Sequence, residues 1–264
     1  MHVFNVRKDA PDHRDHLAAP APAESLPPVV SLRPWLGPIK NQGQLGSCTA
    51  HAGTALREYL YRRFYAYERF KGTPAQAFRL SPLYLYAMER IMEGTFPEDS
   101  GADSRTIFKV LSQFGCAPES MFPYQDGSRA LHLQPDAQTK AFAESYRSIS
   151  YHRVLDVQTL KSVLASGYTA TVGMSVYSEL ESDECARTGL LRIPTRSSTC
   201  LGGHEMHVVG YDDTKNVLGL VGAFDVQNSW GVEWGDDGHV WVPYAYFTVT
   251  TGWDFWTAHL GKPW

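Results

Sequence analysis

Cys48 is the residue of this 264-residue chain whose setting most suits a nucleophile. It stands in Asn41-Gln42-Gly43-Gln44-Leu45-Gly46-Ser47-Cys48-Thr49-Ala50, six residues after a glutamine whose side-chain amide could donate to an oxyanion. After it, Ala52, Ala55, Leu56, Tyr59, Leu60, Phe64 and Tyr67 recur at steps of three and four, which predicts a helix from Cys48 to about Phe70. The thiol then sits at a helix N-terminus, where unpaired N–H groups and the macrodipole favour an anion. A cationic imidazole nearby would add to that field and turn a thiol of pKa ~8.5 into a thiolate at neutral pH. The helix alone is equally consistent with a buried structural cysteine, since free cysteine is among the most buried residue types.

Two distant segments supply the missing partners. Gly202-Gly203-His204-Glu205-Met206-His207-Val208-Val209-Gly210-Tyr211 carries two histidines on a strand-like run, and Gln227-Asn228-Ser229-Trp230-Gly231-Val232-Glu233-Trp234-Gly235 carries an asparagine followed by two tryptophans. On a strand over 204–209, His204 and Met206 point to one face and His207 to the other, so only one histidine can face Cys48. The same divergence argues against a metal. His-Glu-Met-His lacks the i, i+4 spacing of the helical zinc motif, and no metal ligand is assigned. Taken alone, Asn228 reads equally as part of an Asn-Ser turn and Trp230 as a core aromatic.

Gln42, Cys48, His204 and Asn228, in this order and in these contexts, resemble the papain-like cysteine peptidases, and the bacterial branch of that family fits best. The resemblance runs from about residue 26 to 245. It implies an α+β, papain-like two-domain fold: a helical half, an antiparallel β-barrel-like half, and the cleft between them. It also implies a cysteine endopeptidase that acts on a peptide or protein substrate and needs no cofactor. Counting six back from Gly210 selects His204 as base, with His207 left to bond locally. Gln42 then becomes the oxyanion donor, Asn228 the group that orients His204, and Trp230 the cover over that bond. Gly101 and Ala102 would pair with the substrate backbone, against a plain Asp-Ser-Gly turn as the competing reading. Gly173 and Glu205 would border the pocket for the residue two before the cut, where a carboxylate favours Lys or Arg, and Trp234 would line the far side or the core. Leu45 and Thr49 depart from the plant and lysosomal members, which carry a disulfide cysteine and an aromatic there; neither change removes chemistry. A papain-fold binding or regulatory module with an occluded cleft remains open as an alternative, as does a Cys-His amidase or acyltransferase.

Composition narrows the classes further. Hydrophobic residues make up 43% of the chain, enough for a sizeable core, and the net charge of −4 leaves no basic footprint for nucleic acid. No stretch approaches the ~20 apolar residues of a membrane span, and the N-terminus lacks the apolar core of a secretory signal. A cytoplasmic monomer with no membrane partner is therefore expected, with export by a specialised route left open. Cys116, Cys185 and Cys200 remain, and a Cys185–Cys200 bridge would close the polar stretch Glu184–Thr199.

The elements divide at about residue 145. Ser81-Pro82 reads as N-cap and first residue of a helix ending near Gly94, and Asp103 to Phe114 as another helix stopped by Gly115. From Ser148 strands dominate: 148–154, 169–176, 205–211, 218–227 and 239–242, with one short helix over 157–165. The division is 26–145 for the helical half and 146–264 for the β half. Residues 1–25, with Val3, Phe4 and Val6 as their only large apolar cluster and a Pro/Ala-rich run from Ala18 to Ala23, form an extension. It is expected either to stay a solvated tail or to fold back along the substrate groove as a lid.

Overall fold

The computed structural model describes residues 2–22, 25–66, 78–147, 149–250 and 253–260. In chain order the elements are β1 (Val29–Ser31), α1 (Cys48–Leu60), α2 (Pro82–Glu93), α3 (Ser104–Gln113), α4 (Ala137–Ala143), β2 (Ile149–Val154), α5 (Val157–Ala165) and β3 (Ala170–Tyr177). They continue with α6 (Asp183–Thr188), β4 (Cys200–Val217), β5 (Leu220–Gln227), β6 (His239–Pro243), α7 (Tyr246–Val249) and β7 (Asp254–Leu260). Helix α1 starts at Cys48 as its periodicity predicts, and gives way to a π-helical turn over Tyr61–Ala66; the expected continuation to Phe70 lies outside the described residues.

Helix ends follow their caps. Ser81 accepts from the Tyr84 N–H at 3.0 Å with Pro82 in the first turn, and Gly94 closes α2 with φ 73°. Asp156 caps α5 through Thr159 N–H at 2.7 Å. Helix α1 is buried along its whole length apart from Ala55, because α2 packs on one side of it and β4 on the other. A helix buried all round must be apolar or have its polar groups paired. Thr49 accordingly donates to Glu89 at 2.8 Å, and Glu58 accepts from Lys40 Nζ at 2.7 Å and Leu80 N–H at 2.8 Å.

All strand pairings are antiparallel, in the order β2-β7-β3-β4-β5-β6, with β1 joining β4. The second half is therefore an antiparallel sheet as expected, yet among the described residues β2 and β6 do not pair. The sheet stays open, and the barrel-like description is too strong. The reason lies in β4, whose 18 residues shift register twice against β5 and also pair with β1 through Gly210–Asp212, so the sheet bends without closing. Strand β7 and helices α4, α6 and α7 were not anticipated from the sequence. One apolar cluster runs through both halves, from Leu56, Tyr59 and Phe108 to Val172, Phe224 and Trp256.

Two further contacts place the site. Gln42 N–H donates to Ser229 C=O at 2.9 Å and Gly231 N–H to Lys40 C=O at 3.0 Å, an antiparallel bridge that ties the loop before α1 to the loop after β5. The N-terminal residues are the second contact. Asn5 forms a parallel bridge with Gly203, Val6 N–H donates to Gly203 C=O at 3.1 Å, and further on Ala18 N–H donates to Arg153 C=O at 2.9 Å. Residues 2–22 thus form an arm laid across the molecule, with the Pro/Ala run against β2 and α5, where Ala21 N–H reaches Ser162 Oγ at 2.9 Å.

Candidate active site

Cys48 occupies the first position of α1 and is fully buried. The preceding Ser47 does not cap the helix with its side chain: its hydroxyl bonds Tyr124 OH at 2.8 Å instead. Among the described residues, Ser47 therefore leaves that end of the helix without a side-chain cap. The backbone N–H groups of Glu205 and Thr49 favour the thiolate, as the helix-terminus argument anticipates. Burial outweighs them, and with Glu205 and Glu89 close enough to oppose a charged thiolate, the thiol is pushed up to about 12. The expectation of a thiolate at neutral pH is thus corrected for this covered state.

His204 is equally enclosed. Its Nε2 lies 2.9 Å from Asn228 Oδ1, and its Nδ1 is buried with no hydrogen-bond partner among the described residues. Burial, then the proximity of His2, carries its pKa down to about 4 despite the Asn228 bond, which works the other way. Trp230 lies 5.2 Å from the His204 ring at a 31° tilt, and Trp234 meets Trp230 edge-on at 4.9 Å. His207 is turned elsewhere: its Nδ1 bonds Gln227 Oε1 at 2.9 Å and its ring meets Tyr59 of α1. The two imidazoles of the His-Glu-Met-His string therefore diverge, as the alternation of a strand requires.

Gln42 is held from both ends of its amide. Ser229 Oγ donates to Gln42 Oε1 at 2.6 Å, and Gln42 Nε2 donates to Leu45 C=O at 3.0 Å, which leaves one N–H of that nitrogen uncommitted. Ser229 also donates its backbone N–H to Asn228 Oδ1 at 2.8 Å. One serine thus orients both the glutamine amide and the carboxamide that meets His204. Sequence reasoning passed over Ser229 although it adjoins Asn228 in the motif. It also passed over Tyr124, whose OH donates to Gln42 C=O at 2.8 Å and which no local pattern marks.

Residues 2–6 of the arm lie on this constellation. His2 stacks on Trp230 with ring centroids 4.0 Å apart and planes 4° from parallel, and Phe4 meets His204 edge-on at 5.7 Å. Asn5 Nδ2 donates to Asp99 C=O at 2.9 Å, and a Cβ on Gly101 would lie 2.5 Å from Asn5 Oδ1. A Cβ on Gly203 would strike the Val6 carbonyl, so Gly101 and Gly203 let backbone approach from either wall. Ala102 is buried behind Gly101. Gly173 pairs with Glu205 across β3 and β4, and a Cβ there would meet Ser104 Oγ, lie 2.6 Å from Glu205 Oε2 and touch Val6 at 3.4 Å. Val6 thus sits over a floor made by Ser104 and Glu205, which bond each other at 2.5 Å. Glu205 is 1% exposed, and burial raises its pKa to about 8, so it stands here as a neutral acid. The expected anion that would attract Lys or Arg is not what this environment holds at neutral pH.

All four cysteines are free; Cys116 and Cys185 are buried and Cys200 is exposed, so no bridge closes Glu184–Thr199 in this structure.

A thiol at the start of a helix, an imidazole on the strand packed against that helix with a carboxamide on its Nε2, and a glutamine in the loop leading into the helix make up the pattern of a papain-like thiol hydrolase. The chain belongs to that family: the papain family cysteine protease pattern matches residues 27–248. It is similar to xylellain, a cysteine protease from Xylella fastidiosa, with 32% identity, a TM-score of 0.85, and coverage of 98% of this chain and 96% of that one. An uncharacterized peptidase C1-like protein of Acanthamoeba polyphaga mimivirus is 30% identical over 238 residues, 86% of this chain and 71% of the relative. The procathepsin L 3 of Tenebrio molitor larval midgut shares the fold at 19% identity and a TM-score of 0.64, over 98% of this chain and 76% of that one. Among the described residues no helix is long and apolar enough to cross a membrane.

Ser229 yields the first prediction. Ser229→Ala frees the Gln42 amide to turn and loosens Asn228 without touching the thiol. Full loss of an oxyanion donor costs ~10²–10³ in rate, so misorientation is expected to lower kcat/KM on a peptide substrate by about tenfold, mainly in kcat. Steady-state kinetics beside an unchanged thermal melt would check this.

Proposed function

We propose that the protein is a cysteine endopeptidase in which Cys48 is the nucleophile, His204 the general base and acid, Asn228 the group that orients His204, and Gln42 with the Cys48 N–H the oxyanion donors. We further propose that its own N-terminal arm keeps it shut. The observation that carries this reading is the His204 ring. With Nε2 committed to Asn228, the buried Nδ1 is the only ring nitrogen left to serve a thiol.

The chemistry runs in two halves. His204 Nδ1 takes the Cys48 proton, and the thiolate attacks the scissile carbonyl carbon to give a tetrahedral oxyanion held by Gln42 Nε2–H and the Cys48 N–H. The C–N bond breaks as the imidazolium returns its proton to the leaving amine. Water then attacks the thioester with His204 again taking the proton, and the acid and free thiol are released. Asn228 keeps the ring in the tautomer and orientation that both halves need, and Trp230 screens that bond from water. Gly101 and Ala102 meet the substrate backbone on one wall, Gly173 and Glu205 border the pocket now filled by Val6, and Trp230 with Trp234 receives the leaving side.

The arm opposes this chemistry in two ways: it fills the groove, and it dries the thiol and imidazole until both are neutral. An occluded cleft also suits a pure binding module, and variant kinetics separate the two. Cys48→Ala and His204→Ala are expected to abolish peptide hydrolysis with the fold intact, while His207→Ala keeps most of it. Equal loss at both histidines would overturn the assignment.

Removing residues 1–25 is expected to raise kcat/KM on a small fluorogenic peptide and to make Cys48 the fastest of the four cysteines toward iodoacetamide. An unchanged kcat/KM would remove the arm from the regulatory account.

Glu205 sets a pH-dependent preference. A cationic side chain gains from it only when it is ionised, and its raised pKa places ionisation near pH 8, so binding of Lys or Arg in that pocket strengthens as pH rises through this value. The kcat/KM ratio of a substrate with Arg two before the cut to one with Val there is expected to climb between pH 7 and 9. Glu205→Gln should flatten the climb.

A further inference from the structure

Beyond the groove, the arm is fastened by a charge cluster that no part of the proposed chemistry uses. Asp9 is 3% exposed; its N–H donates to Asp254 Oδ2 at 2.8 Å, and its carboxylate accepts from Arg105 N–H at 3.0 Å and Trp256 Nε1 at 2.9 Å. Asp15 accepts from Arg105 Nε at 2.9 Å and Nη2 at 2.8 Å, and pairs with Arg153 Nη1 at 3.3 Å. Arg153 also pairs with Asp254. Both guanidiniums lie against the Trp256 ring, at 5.4 and 5.7 Å from its centroid. Arm residues Asp9 and Asp15 are thereby tied to α3 through Arg105, to β2 through Arg153 and to β7 through Asp254.

The charges in this enclosed cluster do not balance. Asp9, Asp15 and Asp254 face Arg105 and Arg153: three carboxylates against two guanidiniums, all five with side chains 12% exposed or less. The surrounding charges do not repair the deficit. On the arm, Arg7 is spent on Glu93 and Asp103, Arg14 on the half-buried Asp12, and Lys8, over Trp253, favours the charged form of Asp254 less than burial opposes it. From the sheet, the acid Glu205 lies within electrostatic reach of Asp9 and Asp254, and Tyr151 of Asp15. A desolvated excess carboxylate is costly, and the cheapest remedy is a proton.

We propose that docking of the N-terminal arm takes up one proton at the Asp9–Asp254 end of this cluster, which makes the arm a latch that is tight in mild acid and loosens as pH rises. Asp9 agrees with this: burial, then Asp254, raises its pKa from 3.8 to about 6. A group whose pKa is raised on docking stabilises the docked state fully below its free value and loses that contribution as pH climbs through the docked value. For one such carboxylate the docking equilibrium weakens by about tenfold between pH 5 and 7. Nearby, His16 of the arm lies 6.2 Å from His152 of β2, which lies 5.2 Å from His259 of β7. Burial lowers the pKa of His152 and His259, so charging these two in acid acts in the opposite direction on the stretch of arm beside them, and the Asp9 contribution has to be read as a difference between two proteins that share them.

The inference rests on the arm lying in the groove, and its test needs no turnover, so it stands or falls separately from the hydrolytic reading. In the full chain carrying Cys48→Ala, hydrogen exchange of the Val6 and Asp9 amides reports arm opening, because these N–H groups bond Gly203 C=O and Asp254. Protection, corrected for intrinsic exchange, would be measured at pH 5 and 7 with and without Asp9→Asn, an uncharged isostere. The expected result is that protection in the Asp9 protein, divided by that in Asp9→Asn, falls about tenfold from pH 5 to 7. A ratio that stays constant overturns the proposal. If Asp9→Asn does not fold, Asp254→Asn carries the same comparison, since neutralising either acid removes the excess charge.

Discussion

The antiparallel bridge between residues 40–42 and 229–231 is the constraint on which the rest of the site depends. The proposed nucleophile on a helix and the proposed base on a strand belong to separate pieces of secondary structure, and no local rule fixes how their elements are joined. Two backbone hydrogen bonds, Gln42 to Ser229 and Gly231 to Lys40, do so by splicing the loop before α1 to the loop after β5. Once that register is set, Ser229 Oγ falls beside Gln42 Oε1 and its N–H beside Asn228 Oδ1. The bridge is in turn anchored on the helix side, where Lys40 reaches Glu58 of α1 beneath it. Removing one partner of such an enclosed pair leaves a stranded charge, so the anchor is rigid even where its net contribution to stability is small.

Covering this site with the arm alters its electrostatics as much as its access. A thiolate–imidazolium pair needs either water or fixed dipoles around it, and Phe4 against the His204 ring with His2 stacked on Trp230 keeps water from the imidazole. The dipoles of the α1 amides and the Glu205 N–H remain but do not suffice, and the thiol rises while the imidazole falls until the neutral pair is preferred. In the proposed mechanism, opening of the groove restores solvent and charge together, so a small movement of the arm would have a large effect on reactivity.

Much of this architecture could be read from residue order. Cap signals at Ser81-Pro82, Gly94 and Gly115 mark helix limits because capping is local chemistry, and strand alternation separates His204 from His207 for the same reason. What escaped is what depends on contacts remote in sequence. Tyr124 reaches Gln42 across 82 residues, and β7 finds β2 and β3 only in the folded sheet. An open sheet where a barrel-like one was expected has the same origin, since closure turns on the register of a long, bulged β4 rather than on any strand's own pattern. Glu205 was expected beside a substrate pocket, and its ionisation could not be read, because burial by Ser104, Gly173 and Val6 is a property of three other segments.

The acids beneath the cleft complete the argument. Glu89 and Glu205 both lie close enough to Cys48 to oppose its ionisation, and two carboxylates there would work against thiol chemistry if both were charged. Their burial answers the objection. Glu89 is fully enclosed, accepts from Thr49 and has its pKa raised well above the ordinary value by desolvation, and Glu205 behaves in the same way beside Ser104. Kept neutral, they act as hydrogen-bonding groups instead of fixed negative charges. The desolvation that disfavours the thiolate therefore also removes its nearest electrostatic competitors, and an opening that rehydrates Cys48 while leaving Glu89 in the core tips the balance toward the anion.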